Sequence, residues 1–246
     1  MRVLVVAGLD PSGGAGLMAD QEALLMVGAR GWLVAAALTA QGPAGVKGWS
    51  PVPEELLLAQ VDALLEGGEE RPRAIKTGML GTAGLVAALA GRLGAPDLAG
   101  VPLVLDPVLL ASSGTVLLDG GDLPPSRALE PLLVRARLVT PNLPELAALT
   151  GLDVSTDEAV VKAARQLPGE AVLVKGGHRE GEPVDLLVEG RTVTRLVGRR
   201  RAGTARGTGC RLASGLAGLL AQGASLEAAA RGAKQLVESY LDAQLG

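Results

Sequence analysis

Rings, thiols and imidazoles are scarce in this 246-residue chain, which has two Trp, one Tyr, no Phe, one Cys and one His. Three aromatic residues cannot furnish the stacking platforms that RNA and single-strand binders use. A single Cys excludes an internal disulfide, and one Cys with one His cannot build a structural zinc site. An excess of positive charge is also missing. Lys and Arg number 23 against 26 Asp and Glu, for a formal charge of −3, whereas a nucleic-acid binder needs a basic face. No apolar run approaches the roughly 18 residues of a membrane span. The short run from Val3 to Leu9 passes straight into Asp10-Pro11 without an A-x-A cleavage pattern, so it reads as a buried first strand rather than a signal peptide. The expectation is a cytoplasmic protein without membrane or nucleic-acid partners.

Apolar residues make up 48% of the chain and glycine contributes 35 residues. That is ample for a core built from Leu, Val and Ala. Short β-branched runs alternate with longer Ala/Leu-rich stretches. Strands are expected at Val3–Ala7, Trp32–Ala37, Ala74–Thr77, Leu103–Asp106, Leu138–Thr140 and Val172–Lys175. Helices are expected at about Ala15–Val27, Pro53–Leu65, Thr82–Leu93, Asn142–Leu149 and Thr156–Gln166. Continuous apolar strands, each followed by a helix, predict an α/β fold with a parallel sheet covered on both faces. Asp185–Val188 and Thr192–Val197 form a hairpin pattern, and two helices near Gly207–Gln222 and Leu226–Leu241 close the chain. Without an internal repeat or a break in composition, residues 1–246 read as one domain.

Ligands of open parallel sheets bind beyond the carboxyl ends of the strands, and polar and glycine residues gather after every predicted strand. Gly207-Thr208-Gly209-Cys210 opens a helical pattern. Its backbone N–H groups would form an anion hole of the kind phosphoryl transfer needs, or it is simply a glycine-rich turn with a small buried thiol. Cys210 would lie near the first helical turn, where a thiol pKa tends to fall, and a thiolate there could accept a proton from an attacking alcohol. Asn142 and Glu145, three residues apart on one helix face, suit a hydrated Mg²⁺. They equally suit a helix cap with a first-turn acid. Asp106 ends a strand, as a second carboxylate near metal and phosphates or as a turn cap. Gln41 offers the donor–acceptor pattern that complements an aminopyrimidine edge, or is an ordinary polar loop residue. Lys175 could reach nucleotide phosphates as a point charge. His178 reads as a loop residue rather than a catalyst, and Arg199-Arg200-Arg201 as a solvated loop near the anion hole. Neither G-x-G-x-x-G nor G-x-x-x-x-G-K-[ST] occurs, which disfavours a nicotinamide-dependent oxidoreductase and requires any nucleotide site to be of another design.

Taken in order, several segments carry a resemblance that spans nearly the whole chain. They are Ala7 to Gly16 (AGLDPSGGAG), Leu38-Thr39-Ala40-Gln41, Lys76-Thr77-Gly78-Met79-Leu80, Leu105-Asp106-Pro107-Val108, Ser113-Gly114, Thr140-Pro141-Asn142-Leu143-Pro144-Glu145, Val174 to His178 and Gly207-Thr208-Gly209-Cys210. This set resembles the ribokinase-like superfamily and, within it, the hydroxymethylpyrimidine/phosphomethylpyrimidine kinases of thiamine biosynthesis. The resemblance implies a three-layer α/β/α fold with a central, mostly parallel sheet and helices on both faces. It implies ATP as co-substrate, Mg²⁺, two successive phosphorylations of a small pyrimidine, and a homodimer. It puts Gln41, Gly8, Asp20 and Met79 around the substrate, Lys175, Asp106 and Gly177 near the nucleotide, Asn142 and Glu145 at Mg²⁺, and Cys210 at the base position beside Gly207, Thr208 and Gly209. The chain departs from the family pattern with Leu9 for Ser, Gly42-Pro43 for Asn-Thr, Ala205-Arg206 for Thr-His and Arg211 for Thr. A pyridoxal or pyridoxine kinase of the same superfamily is the nearest alternative, and a non-catalytic metabolite-binding regulator a more distant one. With so few rings, the pyrimidine is expected to lie against Gln41 and Met79 rather than between aromatic faces.

Overall fold

The computed structural model describes residues 1–66, 68, 70–111, 113–177, 182–201 and 205–245. His178 therefore lies outside the described residues. The first half of the chain forms β1 (Arg2–Leu9), α1 (Gly16–Met26), β2 (Arg30–Gly42), β3 (Gly45–Pro51), α2 (Glu54–Leu65), β4 (Ala74–Thr77), β5 (Gly81–Thr82), α3 (Ala83–Leu93), β6 (Leu103–Leu105) and β7 (Leu118–Asp119). The second half forms α4 (Pro125–Leu133), β8 (Leu138–Val139), α5 (Leu143–Thr150), α6 (Asp157–Ala164), β9 (Ala171–Val174), β10 (Val184–Glu189), β11 (Thr192–Val197), α7 (Thr208–Ala221) and α8 (Leu226–Leu245).

The main sheet has nine strands in the order β11-β10-β9-β8-β6-β4-β1-β2-β3. The strands from β9 through β2 run parallel, and these are the six expected from sequence. β10 and β11 add an antiparallel hairpin at one edge, and β3 folds back on β2 at the other. A side chain changes face at every residue of a strand, which explains the unbroken apolar runs. Leu4 and Val6 enter one core while Val3, Val5 and Ala7 enter the other, and Leu103 and Leu105 oppose Val104 in the same way. The first core is closed by α2 to α6 and the second by α1, α7 and α8. The three-layer α/β/α architecture with helices on both faces is thus present.

Two expectations are corrected. Gln41 does not follow its strand but belongs to it. β2 continues past the sheet edge to Gly42 and pairs Gln41 with Val46 of β3. The helix α4 and the two-stranded β5–β7 sheet were not expected at all.

Candidate active site

A cleft of about 1010 Å³ runs along the carboxyl ends of the parallel strands. β1 delivers Gly8 and then Asp10, and β4 delivers Lys76 and then Met79. Asp106 follows β6, Asn142 and Glu145 follow β8, Lys175 and Gly177 follow β9, and Gly207 to Cys210 open α7; all of these line the cleft. Gln41, on the extended arm of β2, closes one end. Every candidate site residue named from sequence lines this cleft except Asp20. Asp20 sits on the buried face of α1, fully inaccessible, with its carboxylate engaged by Lys76 at 2.7 and 2.9 Å and by the Ser214 hydroxyl at 2.8 Å.

At the Gln41 end the lining is aliphatic. Ala37, Met79 and Leu117 form a small third core with Val46, Trp49, Val108 and Ala111 packed against it. A Cβ at Gly8 would meet the Met79 sulfur at 2.9 Å, so only glycine lets the thioether lie on that strand. The Thr39 hydroxyl donates to the Leu9 carbonyl (2.9 Å), and its oxygen lies 3.4 Å from Gln41 Oε1. None of Trp32, Trp49 and Tyr240 lines the cleft.

The other end is polar. Lys175 Nζ donates to Asp106 Oδ1 at 2.8 Å and lies 3.7 Å from Glu145 Oε2. Burial pulls the Lys175 pKa down, but Asp106 and Glu145 outweigh burial and hold it above the ordinary lysine value. For Glu145, burial together with Asp106 outweighs Lys175 and raises the carboxyl. A Cβ on Gly209 would meet Lys175 Nζ at 3.3 Å, so this ammonium stands at the mouth of α7. Gly207 caps α7 in the left-handed region (φ 68°), and a side chain there would strike the Gly14 carbonyl at 2.2 Å. The first-turn N–H groups of α7 have no partner within the helix and face the cleft with the positive end of its dipole.

Asn142 and Glu145 form a reciprocal capping box. Asn142 Oδ1 accepts from the Glu145 N–H and Glu145 Oε2 accepts from the Asn142 N–H, both at 2.8 Å. Among the described residues no group of three or more His, Cys, Asp or Glu could by itself hold a metal ion. The donor set that exists, Glu145 and Asp106 beside an anion hole, fits a cation held chiefly by phosphates and water, which is how Mg²⁺ is usually bound.

Cys210 corrects another expectation. Its pKa is pushed up to about 11, not lowered. Burial is the largest cause, and Asp20 and Asp106 add to it against the lowering effects of Lys76 and the Gly16 N–H. The helix terminus is outweighed because the thiol, though it opens on the cleft, is largely enclosed by protein with Asp20 and Asp106 nearby.

Sequence reasoning did not single out Lys76, and it left Arg206 and Arg211 as departures beside the anion hole without a partner. Lys76 lines the cleft fully buried, and its signal was a charge inside an otherwise apolar strand. Arg206 binds Asp10 Oδ2 (2.7 Å) and Ser12 Oγ (3.1 Å), tying the loop after β1 to the anion hole. Arg211 is buried behind the same loop.

Comparison with known proteins is consistent with this site. A family model described as phosphomethylpyrimidine kinase matches residues 10–246. The chain is 40% identical over 244 residues to a thiamine biosynthesis bifunctional protein of Geobacter sulfurreducens, covering 97% of this chain but only 49% of that protein. It is 39% identical to the hydroxymethylpyrimidine/phosphomethylpyrimidine kinase of Streptomyces coelicolor, covering 98% of this chain and 88% of that one. The solved structure of the Staphylococcus aureus pyridoxal kinase with pyridoxal superposes with a TM-score of 0.84 at 30% identity, covering 97% of this chain and 86% of the other.

Proposed function

Because the chain belongs to the phosphomethylpyrimidine kinase family, we propose that it is a phosphotransferase that moves the γ-phosphoryl group of ATP to the hydroxymethyl oxygen of 4-amino-5-hydroxymethyl-2-methylpyrimidine. A second transfer then converts the monophosphate to the diphosphate used in thiamine biosynthesis. The observation that carries this reading is the polarity of the cleft. A carboxamide and an aliphatic floor lie at one end, and a lysine and helix N–H donors lie at the other.

Gln41 pairs with the aminopyrimidine edge while Met79 and Gly8 form the floor beneath the ring. Lys175, ordered by Asp106 and Glu145, meets the nucleotide phosphates, with Gly177 beside it. The N–H groups of Gly207, Thr208, Gly209 and Cys210 hold the equatorial oxygens as charge develops on them. Mg²⁺, carried with the nucleotide, supplies charge neutralisation at the phosphates, and Glu145 beside Asn142 is the residue placed to hold its water shell. The alcohol oxygen bonds to the γ-phosphorus as the bond to the ADP oxygen breaks, and Cys210, once its own proton has passed to solvent, accepts the alcohol proton. In a loose transition state positioning contributes more than early deprotonation.

Product analysis with ATP and the pyrimidine tests the reading. The monophosphate should appear first and the diphosphate after it. Gln41→Ala should raise pyrimidine KM by about tenfold, the loss of one or two hydrogen bonds, and an unchanged KM removes Gln41 from that role. The pyridoxal-bound neighbour supports a second reading in which pyridoxal is also accepted, and the same assay with pyridoxal as sole alcohol decides it. The family resemblance also supports a homodimer, and the exposed apolar side chains of Met18 and Leu25 on α1 and Leu38 on β2 offer it a surface. Sedimentation of the wild type and of Leu38→Asp checks this: a dimer that Leu38→Asp dissociates is the expected result.

A further inference from the structure

Arg211 follows Cys210 on the first turn of α7, yet it does not line the cleft and its residue surface is only 3% exposed. Its Nη1 lies 3.2 Å from the carbonyl oxygen of Gly14, 3.3 Å from that of Arg206 and 3.5 Å from that of Gly207. Its Nη2 donates to Glu22, and the guanidinium carbon stands 3.8 Å over the Tyr240 ring. The Tyr240 hydroxyl donates to the same Arg206 carbonyl at 3.2 Å. The only tyrosine of the chain is thus spent on this cluster.

In a planar trans peptide the carbonyl and the next N–H point in opposite directions. The Gly207 carbonyl is already held by the Arg211 backbone N–H (3.0 Å), the first bond of α7, so the guanidinium and the Tyr240 hydroxyl act on the Arg206 carbonyl and turn the Gly207 N–H the other way, into the cleft. Without such a hold, the peptides around a glycine rotate at little cost. We propose that Arg211, backed by Tyr240, is a positioning residue that locks the Arg206–Gly207 peptide at the anion hole so that its N–H faces the transferring phosphoryl group. It touches no reactant and acts through the backbone. Arg206 secures the loop independently, through Asp10 and Ser12. The inference rests on the phosphoryl-transfer reading above.

Arg211→Gln, Arg211→Lys and Tyr240→Phe are to be compared with the wild type. Three quantities are measured: steady-state kcat and KM, the Kd of MgADP, and the affinity for MgADP–aluminium fluoride in the presence of the pyrimidine. Arg211→Gln should lower kcat about 30-fold, less than the roughly 100- to 1000-fold of deleting an oxyanion donor, because the donor stays but loses its aim. Pyrimidine KM and MgADP Kd should stay within about twofold, and the affinity for the fluoride complex should fall in step with kcat. Arg211→Lys, a point charge unable to span three carbonyls, should fall between. An anchor that only stabilises the fold would lower the melting temperature without separating the fluoride complex from MgADP, and that outcome overturns the proposal. So does an unchanged kcat. Should Arg211→Gln not fold, Tyr240→Phe gives the same readout through one lost hydrogen bond: a kcat about threefold lower at constant KM supports the lock, and an unaltered kcat removes it. A wild type without turnover on either alcohol overturns the kinase reading instead, and the lock is then judged on the fluoride complex alone.

Discussion

Cys210 is the residue whose behaviour the structure changes most. A helix start alone would make it an easily ionised thiol. Burial beside Asp20 and Asp106 leaves it protonated at neutral pH, with a pKa of about 11 against an ordinary 9.0. Because the folded value is the higher one, the thiol's contribution to stability is complete below pH 9 and is lost as the pH climbs toward 11. The chain has only this one cysteine, so the difference in absorbance near 240 nm between the wild type and Cys210→Ala isolates its thiolate from the single tyrosinate. It should titrate with a midpoint near 11, and a midpoint below 8 would show that the helix terminus dominates after all. A thiolate of that basicity is a strong but rare proton acceptor. Single-turnover phosphorylation should accordingly quicken as pH rises from 7 to 9. Cys210→Ala should lower kcat about 100-fold, the usual worth of a general base, with pyrimidine KM little altered. A variant with wild-type kcat excludes Cys210 from proton transfer.

Among the elements, α5 shows how one short helix serves both fold and site. Its N-terminus is closed by the Asn142–Glu145 box, and its C-terminus ends on Gly151 at φ 69°. The cap holds Glu145 where it faces Lys175. Asn142→Ala should cost about 1 kcal/mol, seen as a fall of about 2–4 °C in melting temperature, and should raise the KM for ATP because Glu145 loses its anchor. A fall in melting temperature at constant KM would confine the residue to capping. The capping reading and the ligand reading of this pair were both open from sequence, and the geometry realises the cap. The parallel strands and their helices were legible because burial on both faces writes unbroken Val, Leu and Ala runs. β3 was not, since Gly45, Lys47, Gly48 and Ser50 form a strand by pairing with β2 rather than by burial. α4 escaped because prolines stand at its first position and inside it at Pro131. Proline breaks the ladder of an isolated helix, yet Ala128, Leu129, Leu132 and Leu133 bury enough surface to hold this one. Arg211 could be read from sequence only as a departure beside the anion hole. Its contacts come from Gly14, Glu22 and Tyr240, which are distant in the chain.

At the scale of the whole molecule, the site and the fold meet at one buried ion pair. Lys76 in β4, Asp20 in α1 and Ser214 in α7 join the sheet to the helices of one layer, with both charged side chains fully inaccessible. Burial raises the Asp20 carboxyl while Lys76 and Ser214 pull it back. For Lys76, the carboxylates and Cys210 outweigh the burial that would lower it. Removing one partner leaves the other charge stranded in a dry site, which costs about 3–5 kcal/mol, whereas replacing both by apolar or neutral groups is often tolerated. Lys76→Met and Asp20→Asn should therefore each destabilise strongly in thermal melts, and the double variant should recover most of the loss. Simple additivity of the two losses would mean that they do not act as a pair. The same charge reaches the chemistry, because Lys76 lowers the Cys210 pKa from its place on the cleft floor. In the rescued double variant Asp20 no longer raises that pKa and Lys76 no longer lowers it. The single Lys76→Met variant keeps only the raising influence, so its thiol should titrate above the wild type's, and above the double variant's. If all three titrate together, Lys76 serves the fold alone. If they separate in that order, the pair that fastens α1 and α7 to the sheet also sets the basicity of the thiol at the anion hole.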